Sequence, residues 1–200
     1  MPRRVDHTER RTEIAQALVR AAARLGLHAV GMRDVAAEAG VSLRLVQYYF
    51  ESKEKLLLFG LRHLADRFGE RMSARVRAAG DDPGPRAVVE ALLAAALPVD
   101  EESRMFHHLY TSYAVLSVTD EALAAQPFIK DPDAAETTLA GLLQQAADAG
   151  LLQPGTDTHT EAVGLLAMSA GLGTSVLVGQ RDADSAAAVL RYHLDRIFLT

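Results

Sequence analysis

The chain has 200 residues, 49% of them hydrophobic and 24% charged, with 7 Pro, 14 Gly and no Cys. This excludes a disordered, collagenous or low-complexity chain, and with it a disulfide framework, a thiolate nucleophile and a cysteine zinc site. The net charge of −5 is unevenly spread: residues 1–77 hold 15 Lys+Arg against 9 Asp+Glu, net +6, and residues 78–200 hold 6 against 17, net −11.

Such asymmetry suits a chain whose basic end approaches a polyanion while the acidic remainder keeps it in solution. The alternative is that both signs merely cover solvated faces. The N-terminus, MPRRVDHTERR, is charged where an export signal carries its apolar core. Together with the lack of Cys, this predicts a cytoplasmic protein.

Apolar residues recur at spacings of 3 and 4, and period-2 alternation is scarce, which predicts an all-α chain of about nine to ten helices and no sheet. Ala15, Leu18, Ala22 and Leu25 form one stripe of a first helix that stops at Gly26. Short helices follow at Met32 to Ala39 and Leu43 to Tyr49, separated by Gly40-Val41-Ser42. A longer helix starts behind Ser52, a good N-cap, and runs to about Ala79 with Leu57, Leu61, Leu64, Phe68, Met72 and Val76 along one side.

Further helices are expected at Arg86–Leu97, Met105–Val118, Glu121–Gln126, Pro132–Ala149, Thr160–Gly179 and Ala183–Phe198. Asp131 is expected to cap the fourth of these, with Pro132 in its first turn. Ala162 to Gly179 runs 18 residues without a charge, the length at which a membrane span comes into question. Its Gly164, Ser169, Gly171, Gly173, Thr174, Ser175 and Gly179 lower the hydropathy and suit close helix packing, so a buried helix is expected instead.

MRDVAAEAGVSLRLVQYYF has the spacing of a helix-turn-helix: Ala36 is small where two helices cross, Gly40 is free to take positive φ, and Val46 enters the shared core. Val35, Val41 and Tyr49 complete the apolar side and leave Leu43, Arg44, Gln47 and Tyr48 facing outward. Arg suits guanine and Gln suits adenine for bidentate contacts in a major groove. Ser52 and Lys53, at the opening of the long helix, offer backbone N–H groups and a cation to a phosphate.

The run RDVAAEAGVSLRLVQYYFESKEKLL resembles the DNA-binding domain of the TetR family of transcriptional regulators over roughly residues 10 to 60. The resemblance implies a three-helix DNA-binding head, placed at 1–53, and a larger helical regulatory and dimerisation body at 54–200. It further implies a homodimer on a palindromic double-stranded DNA operator, usually a repressor released by a small effector. By position, Arg33, Ser42, Leu43, Arg44, Gln47, Tyr48, Tyr49 and Lys53 fall where family members contact DNA. Gly31 stands where members often have a capping, phosphate-contacting Thr, and Gln47 where Tyr is usual, so base preference there is this chain's own.

In the body, Gly164, Ala167, Gly171 and Thr174/Ser175 line one helix face on which another helix can lie closely. With Pro132–Ala149 this resembles the two helices each family subunit gives to a four-helix dimer bundle. The Met105–Val118 helix is rich in large groups, and Met105, Leu109, Tyr110, Tyr113 and Met168 are the candidate lining of a pocket for an apolar or aromatic effector. The alternative for each is an ordinary core residue whose polar tip is satisfied locally.

No enzyme reading survives. Adjacent His107 and His108 point about 100° apart on a helix, no Glu-x-x-His spacing occurs, and GxSxG is absent, so no catalytic residue, metal or cofactor is expected. A TetR-like activator, a regulator that answers to no ligand, and a helical small-molecule-binding protein without DNA function remain as alternatives.

Overall fold

A computed structural model describes residues 7–78, 80–81, 83–125 and 133–199. Its helices are α1 (His7–Leu25), α2 (Met32–Glu38), α3 (Leu43–Phe50), α4 (Lys53–Ala78), α5 (Pro85–Ala95), α6 (Glu101–Ser117), α7 (Glu121–Ala124), α8 (Asp133–Asp148), α9 (Thr158–Leu177) and α10 (Ala183–Ile197). An isolated antiparallel bridge between Leu152 and Phe198 is the one β pairing among the described residues, and it builds no strand or sheet. Gln153 N donates to Ile197 O and Leu199 N to Leu151 O, both at 2.8 Å, tying the end of the chain to the loop before α9. The expected Asp131 cap with Pro132, and Gln126, lie outside the described residues.

The chain divides into two compact units, Met1–Arg67 with His108–Ile129, and Phe68–His107 with Lys130–Thr200. The division falls within α4 and within α6, so each of these helices contributes to both units.

In the first unit α1 packs on α2 and α2 on α3. Ile14, Ala17, Leu18 and Ala21 recur at helical spacing and are buried together with Ala15 and Ala22; each such Leu or Ile stabilises by about 1.5–3 kcal/mol. Leu25, expected in this stripe, is 44% exposed in the last turn of α1, whereas Leu27 and Val30 just beyond the helix are buried. Arg20 and Arg24 both reach Glu38 at 3.0 Å, joining α1 to α2, and the Arg11 guanidinium lies 4.5 Å from the centre of the Phe59 ring. Leu57, Leu61 and Leu64 of α4 are buried as expected, and Tyr113 of α6 donates its hydroxyl to Leu57 O at 2.7 Å.

In the second unit the expected α4 stripe weakens: Phe68, Met72 and Val76 are half-buried. Phe68 stacks on Phe106 of α6 at 4.4 Å. α6 begins at Glu101, earlier than Met105, because Asp100 caps it: Asp100 Oδ1 accepts from Ser103 N at 2.8 Å while Ser103 Oγ accepts from Asp100 N at 3.0 Å. The same carboxylate takes a bidentate pair from Arg71 of α4, at 3.2 and 2.5 Å. α9 packs on α8, α10 and α5 around Leu93, Leu143, Leu165, Leu190 and Leu194.

α9 differs from the expected buried helix. By length and composition it is apolar enough to cross a membrane, and well under half of its apolar stretch is buried. Ala162, Leu165, Ser169, Leu172 and Val176 face the core, while Gly164, Ala167, Gly171 and Thr174 are exposed; Ser175, expected on the small-residue face, is buried.

Candidate nucleic-acid interface

The turn between α2 and α3 depends on Gly40, at φ +65°, in the left-handed region that costs other L-residues about 1–2 kcal/mol. Gly40 N donates to Ala37 O and Val41 N to Ala36 O at 2.9 Å, closing α2. Ser42 then caps α3, its Oγ accepting from Leu45 N at 3.2 Å. Ala36, Val35, Val46 and Phe50 are buried, so the inner side of both helices is fixed by packing. Val41 and Tyr49, expected on that side, are half-buried.

What packing leaves outside is the predicted outward face. Arg44, Gln47 and Tyr48 are exposed, Tyr48 by 68%, with Leu43 half-buried beside them. Arg33 of α2 and Ser42 are exposed too, and among the described residues neither Arg33 nor Arg44 is paired with a carboxylate. An exposed guanidinium without an internal partner retains its fork of donors for an outside acceptor.

Gly31 begins α2 without a side-chain cap; its N–H instead donates to Asp34 Oδ2 at 2.8 Å. Lys53 is turned to the protein, its Nζ donating to His28 O at 3.1 Å. Ser52 acts as the expected cap of α4, accepting from Lys55 N at 3.3 Å. Nothing in the residue pattern foretells Glu51, which makes the sharp α3–α4 turn at φ +60° although it is not Gly, and pairs with Lys55 at 2.5 Å. That pair holds the Glu51 carboxyl below its usual range.

The candidate effector residues fall in different units: Met105 and Met168 in one, Leu109, Tyr110 and Tyr113 in the other. Met105, Met168 and Tyr110 are half-buried, while Leu109 and Tyr113 are each 1% exposed. Tyr113 spends its hydroxyl on Leu57 O, and burial pushes its acidity well below that of an ordinary phenol. It is therefore a satisfied core residue in this structure, without a free polar tip. His107 is buried as well and packs against Gly173 of α9; burial holds its pKa below the usual imidazole value, opposed by hydrogen bonds to the Ala96 and Ala170 carbonyls. Among the described residues no three His, Asp or Glu side chains gather where they could hold a metal ion.

Two family models match the sequence. Residues 14–58 match the model for bacterial regulatory proteins of the tetR family, and residues 85–199 that for the C-terminal part of BetI-type transcriptional repressors. Among characterised relatives, the HTH-type transcriptional regulator PksA of Bacillus subtilis is 24% identical over 200 residues, 98% of this chain and 94% of that protein. The HTH-type transcriptional regulator BetI of Brucella anthropi is 35% identical over 85 residues, 42% of each chain. A crystal structure of a transcriptional regulator from Rhodococcus sp. superimposes with a TM-score of 0.78 at 29% identity, covering 94% of this chain and 95% of that one. Another, of a regulator from Saccharomonospora viridis in complex with choline, gives 0.84 at 24% identity, covering 96% and 100%.

Proposed function

Because the chain belongs to the TetR family of bacterial transcriptional regulators, we propose that it is a ligand-responsive repressor that binds a palindromic DNA operator as a homodimer in the cytoplasm. It is a regulator with a helix-turn-helix DNA-binding domain and not an enzyme. The proposed division is a DNA-binding head over residues 1–53 and a regulatory and dimerisation body over 54–200.

The observation that carries the reading is the exposed Arg44, Gln47 and Tyr48 on a helix whose opposite side is locked by Val46 and Phe50. Arg44 and Gln47 read base edges; Arg33, Ser42, Leu43, Tyr48, Tyr49 and Lys53 hold the backbone and the register. Lys53 does so after its ammonium leaves His28 O. One head makes too few phosphate contacts to hold a site tightly at physiological salt, so two are needed. The exposed Gly164, Ala167, Gly171 and Thr174 of α9, beside α8, offer a second subunit a face on which helices approach closely.

The effector is small and largely apolar or aromatic, and it is taken up in the regulatory body. The choline complex of the Saccharomonospora viridis regulator and the BetI-type match favour a small effector for the body. Binding shifts the population of body conformations, and α4, continuous through both units, carries the change to the head.

The test is selection of duplexes from a random 30-base-pair pool, followed by binding at graded salt. The expected result is a palindromic consensus bound in a salt-dependent manner by the unaltered protein, with Arg44→Ala and Gln47→Ala each losing about 1–3 kcal/mol of discrimination at one base pair. Failure to enrich any duplex at low salt would sink the reading.

A further inference from the structure

One cation meets two other helices of the first unit. The Arg11 guanidinium of α1 lies 4.5 Å from the centre of the Phe59 ring of α4 and 5.4 Å from that of Phe50, the last residue of α3. The two rings are 5.3 Å apart and inclined at 58° to each other. Phe50 is buried, Phe59 half-buried and Arg11 exposed, so the charge covers an apolar pair on one side and meets water on the other. Among the described residues Arg11 has no carboxylate partner, while its neighbour Arg10 pairs with Glu13.

The closely paired helices of this unit are α1 with α2 and α2 with α3; among the described residues α3 and α4 are not such a pair. They are joined by Glu51 and Ser52, and Glu51 stands at φ +60°, a conformation that residues other than Gly adopt sparingly. Apolar packing of Phe50 on Phe59 has no preferred direction. A guanidinium is drawn to the faces of both rings, and that attraction does have one. Arg44 and Gln47 stand six and three residues before Phe50 on the same short helix, about 9 and 4.5 Å along its axis, so a tilt at Phe50 displaces both.

We propose that Arg11 is a positioning residue for DNA recognition. Laid over Phe50 and Phe59, it sets the angle of α3 against α4, and with it the aim of Arg44 and Gln47 at base edges, without touching DNA itself. This rests on the proposed reading of bases by α3.

The experiment uses the full chain, the tightest duplex from the selection described above and an unrelated duplex of equal length, with fluorescence anisotropy from low to moderate salt. Arg11→Met keeps the unbranched stem and removes the charge; Phe59→Leu removes a ring that lies on α4. Each is expected to weaken binding to the selected duplex about fivefold and to leave binding to the unrelated duplex unchanged. The double variant should lose no more than either single one, because both break the same contact, and Arg11→Lys should recover part of the loss. The dependence of log K on log salt and the helical content by circular dichroism stay as in the unaltered protein. Equal losses on both duplexes, a salt slope reduced by about 0.9 as for a phosphate contact made by Arg11 itself, or additive losses in the double variant would each overturn the proposal and leave the reading of α3 intact. Equal binding of the selected duplex by the unaltered protein and Arg44→Ala/Gln47→Ala overturns both.

Discussion

At the scale of single residues, what spacing along the chain makes legible is steric. Ala36, Gly40 and Val46 are recognisable because each position admits few side chains: a small group at a crossing, a residue free to take positive φ, a branched apolar group in a shared core. Nothing lies within 4 Å of where a Cβ on Gly40 would sit, so Gly40→Ala suffers backbone strain alone. It is expected to lower stability by about 1 kcal/mol in urea denaturation, without loss of helical signal. Gly31 poses the converse case. A Thr there would supply the hydroxyl that α2 lacks, adding a few tenths of a kcal/mol to stability and one more phosphate donor, so Gly31→Thr is expected to bind duplex DNA more tightly. Spacing could not foretell what Lys53 and Tyr113 do with their polar ends. The acceptors they find, His28 O and Leu57 O, are 25 and 56 residues away in the chain.

At the scale of elements, α6 shows how contacts distant in sequence set boundaries and titration. Its early start comes from Asp100, which caps the helix and is held by Arg71; that guanidinium, followed by the bonds from Ser103, keeps the Asp100 carboxyl well below the usual carboxylate range. Asp100→Ala removes cap and partner together and is expected to lower stability by about 1 kcal/mol, the pair itself counting for little because Asp100 is half-exposed.

Further along α6, His107 lies so close to Gly173 that an added Cβ would stand 2.3 Å from its Cε1. An imidazole is not the pliable end of a long side chain, and Gly173→Ala is therefore expected to cost about 1–3 kcal/mol, partly recovered in the double variant with His107→Ala. Because burial lowers the folded-state pKa of His107, the unfolded chain takes up the proton first. Its contribution to stability is then complete above the ordinary imidazole pKa of about 6.5 and declines as pH falls below it toward the folded value. Urea midpoints between pH 7 and 5 should fall less steeply in a His107→Gln variant.

At the scale of the molecule, charge and small residues divide the labour. The basic surplus belongs to residues 1–77, whereas the exposed small-residue face belongs to α9 in the acidic remainder. Replacing Ala167 by Glu puts a charge in the middle of that face while leaving the core side of α9 untouched. Sedimentation velocity is expected to show a dimer for the unaltered protein and a monomer for Ala167→Glu. The variant's operator affinity should fall with it, since two heads no longer act on one site.

The sequence by itself determined the helical class, the position of nearly every helix, the turn at Gly40 and the outward face of α3. All follow from local sterics and from a periodicity that repeats within a few residues. Tertiary structure alone decided which apolar stripes are covered: Leu25 and half of α9 are not, and the far half of the α4 stripe only partly is. It also decided which polar groups are already satisfied, as in Tyr113, and that Arg11 lies over Phe50 and Phe59. Burial and hydrogen bonding depend on which distant segments come to lie alongside one another, and the spacing of residues within one helix does not encode that.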